Sequence, residues 1–104
     1  MVIFWDIIYL YKNIKGGDLV DITDVRVFLS TREGSTRAYA TVTFDESFVV
    51  RDLRIVDGKN GLFVSMPSRK SQDGEFRDIC FPITSEFRNI IQEQVLDKYN
   101  REVS

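Results

Sequence analysis

Six lysine and arginine side chains between positions 51 and 77 form the part of this sequence best suited to chemistry, namely the binding of phosphate. Four acidic residues in the same segment leave a local excess of two positive charges, whereas the 104-residue chain has a net charge of −2. Arginine binds phosphate oxygens through a planar fork, and lysine binds them as a point charge. The pair Arg69-Lys70 directly follows a strand pattern that ends at Pro67, and Arg54 and Arg77 are weaker neighbours. These residues fit a phosphate-binding surface and an ordinary solvated loop equally well.

Aromatic residues near these cations offer a second feature of nucleic-acid binding, because bases stack on aromatic rings. Phe63, Phe76 and Phe81 are the candidates, although each could instead belong to the hydrophobic core. Proteins that hold nucleic acid by bulk charge are usually strongly basic, and this chain has a pI near 5.1. Any binding must therefore depend on a local patch, which a dimer would present twice.

Catalytic machinery is not evident in the sequence. The chain has no histidine and one cysteine, which excludes histidine-assisted acid–base chemistry, a catalytic triad and an ordinary zinc site. Cys80 has no basic residue beside it, so we expect it to be a small buried apolar residue. We therefore predict no enzyme activity, no cofactor, no metal and no small-molecule substrate. The lack of a disulfide framework favours a reducing, cytoplasmic location.

Hydrophobic periodicity predicts the elements that position the basic segment. Alternating apolar residues indicate five strands, bounded by turn residues. The predicted strands are 21–29, 38–44, 48–56, 62–66 and 76–83, and the fourth ends at Pro67 because proline cannot donate to a ladder. The third strand requires a bulge near Arg51-Asp52 to keep its apolar residues on one face. Residues 68–75 are expected to form a polar loop.

A single C-terminal helix follows these strands. Thr84 or Ser85 can cap it, and an apolar stripe runs along it at three- and four-residue spacing. The stripe consists of Phe87, Ile90, Ile91, Val95 and Tyr99. Antiparallel neighbours with short connections predict an α+β domain, a five-stranded mainly antiparallel sheet with this helix packed on one face. A chain of this length has a thin core, which makes a homodimer a reasonable expectation.

The first nineteen residues differ from the rest. Met1–Tyr11 is apolar and aromatic but too short to span a membrane, and it lacks the features of a signal peptide. Lys15–Asp18 can be encoded by bases that form a ribosome-binding site, and Val20 can be encoded by a GTG start codon. We therefore divide the chain into 1–19, an upstream leader or an N-terminal extension, and 20–104, the folded domain.

Three sequence blocks resemble a known family. They are Phe48–Gly58, the run GLFVSMPSRK at 61–70 and the run DGEFRDI at 73–79. Together they closely resemble the bacterial stage V sporulation protein G (SpoVG) family, and the likeness extends from about Val20 to about Tyr99. The sequence departs from the family pattern at Arg51, where histidine is usual.

The resemblance implies a small α+β homodimer that binds DNA and RNA and regulates sporulation, septation or gene expression. The basic pair that the family ties to nucleic-acid binding corresponds to Arg69 and Lys70 here. An alternative is a protein-interaction adaptor in division or sporulation that uses the same loop or an exposed strand edge. The sequence leaves both hypotheses open.

Overall fold

The computed structural model describes residues 20–104, which form an α+β domain. Its elements are β1 (Ile22–Leu29), β2 (Thr36–Phe44), β3 (Phe48–Gly58), β4 (Gly61–Ser65), β5 (Ser68–Lys70), β6 (Phe76–Asp78) and α1 (Ser85–Val103). Strands β1 to β4 form an antiparallel sheet in sequential order, and β5 pairs with β6 in a separate hairpin. The predicted fold class and the C-terminal helix are confirmed. The prediction that residues 1–19 are a leader or an N-terminal extension concerns residues outside the described range.

One face of the four-stranded sheet packs against α1 and forms the core. The alternation predicted for β2 holds, since Ala38, Ala40 and Val42 are buried on this face. The remaining buried core residues are Leu53, Ile55, Val64, Met66, Ile91 and Val95. Burial of each large aliphatic side chain contributes about 1.5–3 kcal/mol. The opposite face of the sheet, here called the open face, carries Arg26, Phe28, Tyr39, Thr41, Arg54, Val56, Phe63 and Ser65 by strand alternation.

Helix α1 begins at the predicted cap. Thr84 has extended backbone angles, and its Oγ1 accepts a hydrogen bond from the Phe87 N–H at 3.1 Å. Gln92, on the first half of the helix, accepts a hydrogen bond from the Val64 N–H at 3.2 Å. This contact ties α1 to β4, an edge strand of the sheet. The cap defines where the helix begins, and the Gln92 bond helps to fix its position against β4.

The predicted bulge in β3 is present. Ala40 pairs with Leu53 and Val42 pairs with Val50, so Arg51 and Asp52 together lie opposite one residue of β2. Asp52 has a φ of +67°, a left-handed conformation that aspartate tolerates better than most residues. The extra residue returns Val50 to the face that carries Leu53.

The prediction that residues 76–83 form a fifth strand of the sheet is wrong. Strand β6 ends at Asp78, and its partner is β5, which lies in the segment expected to be a polar loop. The Ile79 N–H still donates to the Pro67 carbonyl at 2.8 Å, after which the chain turns away from its partner. Ile79, Phe81 and Ile83 are 61%, 56% and 90% exposed instead of forming a core face. The alternation is present, but within residues 20–104 no strand pairs with Phe81 and Ile83.

We expect Thr84→Ala to lower the free energy of unfolding by about 1 kcal/mol, because the Phe87 N–H loses its acceptor at the helix N-terminus. Urea denaturation followed by circular dichroism measures this change. Thr84→Ser is the matched control, since it keeps the hydroxyl and should retain the stability of the parent. Equal losses in both variants would contradict the capping role.

Candidate functional site

The β5–β6 hairpin positions three of the four predicted site residues. Arg69 lies opposite Arg77, and Lys70 lies opposite Phe76. Because side chains alternate along a strand, the two arginines share one hairpin face and Lys70 shares the other with Phe76. Arg69, Lys70 and Arg77 are all exposed. The hairpin thus divides the basic cluster between two surfaces.

Arg77 is held by neighbouring carboxylates. Its Nη2 lies 2.7 Å from Asp73 Oδ2 and 3.8 Å from Glu75 Oε2. Arg69, Lys70 and Arg54 have no such ion pair within residues 20–104. The Arg77 guanidinium therefore helps to close the hairpin turn, and the unpaired cations are better placed to meet an anionic ligand.

Asp73 organises the turn that joins β5 to β6. Its Oδ1 accepts hydrogen bonds from the Ser71 hydroxyl and from the Glu75 N–H, the latter at 3.1 Å. The Ser71 N–H also donates to the Glu75 carbonyl at 2.8 Å, and Gly74 adopts a φ of +87° that favours glycine. The bond from Ser71, followed by the bond from Glu75 and a smaller effect of Arg77, holds the pKa of Asp73 below its ordinary value. These contacts stabilise a defined turn in the segment that the sequence predicts to be a polar loop.

Arg54 lies on the open face of the sheet, apart from the hairpin in sequence but beside it in space. It pairs with Tyr39 of β2 and with Ser65 of β4. A groove of about 340 Å³ runs between the open face and the hairpin. We call it the sheet–hairpin groove, and its lining residues are Tyr39, Asp52, Arg54, Pro67, Ser68, Phe76 and Ile79.

The three candidate aromatic residues occupy different places. Phe76 lines the sheet–hairpin groove, whereas Phe63 lies at the far end of the open face, near Gly58. Phe81 borders a separate apolar cavity of about 410 Å³ between the sheet and the start of α1. Sequence reasoning did not include Tyr39, although its place opposite the core residues of β2 was visible in the alternation. Its pairing with Arg54 depends on the strand register, which the bulge in β3 shifts.

Cys80 also borders the apolar cavity. It is half-buried, not buried as expected, because the chain around it is irregular. Burial raises the pKa of the Cys80 thiol, and the nearby Asp78 carboxylate raises it further. The thiol form is therefore favoured, which is consistent with the prediction that Cys80 is not a nucleophile.

Ser71→Ala should raise the pKa of Asp73 toward its ordinary value of 3.8, because the Ser71 hydroxyl is the largest cause of the lowering. Because the pKa of Asp73 is lower in the folded state than in the unfolded state, the ionised carboxylate stabilises the hairpin at pH values above the ordinary pKa. The contribution is lost as the pH falls through the lowered pKa. Titration of the Asp73 carboxyl carbon by NMR measures the shift. Ser68→Ala is the control, and an unchanged Asp73 titration in Ser71→Ala would refute the assignment.

Within residues 20–104, no helix combines the length and the hydrophobicity needed to span a membrane. No group of three or more histidine, cysteine, aspartate or glutamate side chains there is arranged to hold a metal ion. The hairpin and its groove are thus the main candidate site of the described chain.

Comparison with known proteins identifies the family. The SpoVG family model matches residues 20–101. The chain is 48% identical to a SpoVG protein of Caldicellulosiruptor saccharolyticus over 85 residues, which is 82% of this chain and 97% of the relative. It is 52% identical to one from Bacillus cytotoxicus over 82 residues, or 79% of this chain and 84% of the relative. A Clostridium perfringens relative is 49% identical over 82 residues, or 79% and 91%. The names of these relatives refer to septation, and the chain belongs to the SpoVG family.

Proposed function

We propose that this protein is a dimeric nucleic-acid-binding regulator, acting on DNA and also on RNA, in bacterial septation, sporulation or gene expression. Membership of the SpoVG family and the septation names of its relatives support the cellular role. The observation that carries the molecular role is the exposed pair Arg69 and Lys70 on a hydrogen-bonded hairpin. Neither side chain is neutralised by a carboxylate within the described residues.

The position of these cations suits a phosphate backbone. A hairpin closed by Ser71 and Asp73 holds them in place, so binding costs less side-chain and loop ordering than it would in a loose loop. Arg54 adds a third unpaired cation from the neighbouring sheet. Because the whole chain carries a net charge of −2, this local group must supply the attraction.

Replacing both hairpin cations, Arg69→Ala with Lys70→Ala, should weaken binding to DNA and RNA of any sequence. Loss of two phosphate contacts should also make the plot of log affinity against log salt shallower, by about 1.4 for single strands and 1.8 for duplex DNA for each protomer that contacts the nucleic acid. Fluorescence anisotropy at several salt concentrations measures both effects.

The matched control is Arg32→Ala with Lys59→Ala, which removes the same charge from turns at the opposite end of the sheet. It should bind as the parent does. If the hairpin variant binds as tightly as the parent, the hairpin is not the binding surface. If both double variants weaken binding equally, the effect is one of net charge and the site assignment fails.

The second candidate is an adaptor that binds an acidic protein through the same cations. The edge position of β1 favours it, because an edge strand can pair with a strand of another protein. This candidate predicts no mobility shift with DNA or RNA at moderate salt. It also predicts that the 260 to 280 nm absorbance ratio of freshly purified protein is unchanged by a high-salt wash.

We further propose that the dimer forms through an exposed apolar surface that consists of Phe81 and Ile83, before α1, and Phe48 of β3. Phe48, Phe81 and Ile83 are 66%, 56% and 90% exposed, and Phe48 and Phe81 line the apolar cavity. Ile83 has no apolar partner on its own helix, because the residue that could form a hydrophobic staple with it is Arg88. A second copy of the chain would remove this surface from water and enlarge a thin core.

Ile83→Asp should convert the dimer to monomers while leaving the fold of the protomer intact. The side chain is 90% exposed, and a carboxylate just before a helix N-terminus is favourable for the helix dipole. Light scattering coupled to size exclusion measures the molar mass. Val103→Asp, at another exposed apolar position, is the control and should leave the mass of the parent unchanged. A dimeric Ile83→Asp protein would refute this interface.

A further inference from the structure

The sheet–hairpin groove combines two exposed aromatic rings with the Arg54 guanidinium, and Lys70 lies next to it on the hairpin, opposite Phe76. Phe76 is 69% exposed on the hairpin wall, and Tyr39 is 39% exposed on the sheet wall. Large aromatic side chains are usually buried in cores or interfaces, where their area contributes most. Two of them on opposite walls of one groove of about 340 Å³ indicate a site that receives flat, apolar groups.

The cations lie directly beside these rings. Arg54 pairs with Tyr39 across β2 and β3, and Lys70 pairs with Phe76 across the hairpin. Each ring therefore has a positive side chain at the paired position of the adjacent strand, and the two strand backbones are about 5 Å apart. The groove also contains the carboxylate of Asp52, so its net charge is small. Tight binding there requires the rings as well as the charges.

The ring surface continues along the open face. Phe28, which is 57% exposed, pairs with Tyr39 on the side away from Arg54. Phe28, Tyr39 and Arg54 thus form one row across three strands. A row of this kind can accept successive planar groups while a cation beside it meets the charge that links them.

From this arrangement we infer that the sheet–hairpin groove binds unpaired nucleotides of single-stranded nucleic acid, with bases stacked on Phe76 and Tyr39 and phosphates bound by Arg54 and Lys70. The inference rests on the proposed function and names its substrate class. In a duplex the bases stack on one another and present no free face to Phe76. An acidic peptide would pair with the cations but leave both rings exposed to water. Unpaired nucleotides use both features, and aromatic stacking tolerates any base.

The test uses three labelled probes, a thymidine oligonucleotide, an abasic oligonucleotide with the same number of phosphates, and a DNA duplex. Phe76→Leu and Tyr39→Leu keep apolar area but remove the ring faces. Each should weaken binding of the thymidine probe roughly five- to a hundredfold. Neither should change its salt dependence, because no phosphate contact is removed. Binding of the duplex should be unaffected. Phe76→Tyr keeps an aromatic ring face and should bind the thymidine probe as the parent does.

Phe63→Leu is the matched control, because Phe63 is 43% exposed on the same open face but lies outside the groove. It should bind the thymidine probe as the parent does. The inference is overturned if Phe76→Leu and Tyr39→Leu bind that probe like the parent, or if the abasic probe binds as tightly as the thymidine probe. Duplex binding that depends on Arg69 and Lys70, without binding of the thymidine probe, overturns the inference and leaves the proposed function standing. Absence of binding to every DNA and RNA probe overturns both.

Discussion

The packing of α1 on one face of the four-stranded sheet determines where every other surface of this domain lies. Ile91 and Val95 belong to the same buried cluster as Ala38, Val42 and Ile55, and Gln92 accepts a hydrogen bond from β4. One helix covers one face, so the other face of the sheet stays open within the described residues. The aromatic side chains of Phe28 and Tyr39 are exposed for this reason, and Arg54 beside them is half-buried. Burial of the core and exposure of the candidate site are consequences of the same alternation.

The hairpin depends on a second, polar set of contacts. Strands β5 and β6 have three residues each, too few to be stable through backbone pairing alone. Ser71, Asp73 and Arg77 supply the additional contacts, and Pro67 is buried where the hairpin leaves the sheet. Charge thus has two roles in this segment. Arg77 is neutralised to close the turn, and Arg69 and Lys70 form no ion pair within residues 20–104.

Local patterns in the sequence were sufficient for much of the fold. The alternation in β2, the cap at Thr84 and the bulge at Arg51-Asp52 were all predicted, because each depends on neighbours within one element. The stripe on α1 was predicted except at one position, since Leu96 packs on the core and Ile90 does not. The prediction of a strand at 76–83 was wrong because it depends on a neighbour from another part of the chain. Alternating Ile79, Phe81 and Ile83 resemble a strand, but a strand requires a partner, and Pro82 provides no N–H for one. Whether a partner lies alongside is a property of the folded chain.

The sequence by itself determined the fold class, the family and the identity of the basic residues, because motif spacing and periodicity are local properties. Arg69, Lys70, Arg77 and Arg54 were recognisable as cations, but their separate roles were not. The tertiary structure decided that Arg77 is held by Asp73, that Arg54 lies beside Tyr39, and that Phe76 faces the sheet across a groove. Each of these contacts joins residues whose closeness depends on strand register and hairpin closure. Composition and periodicity carry no direct information on either.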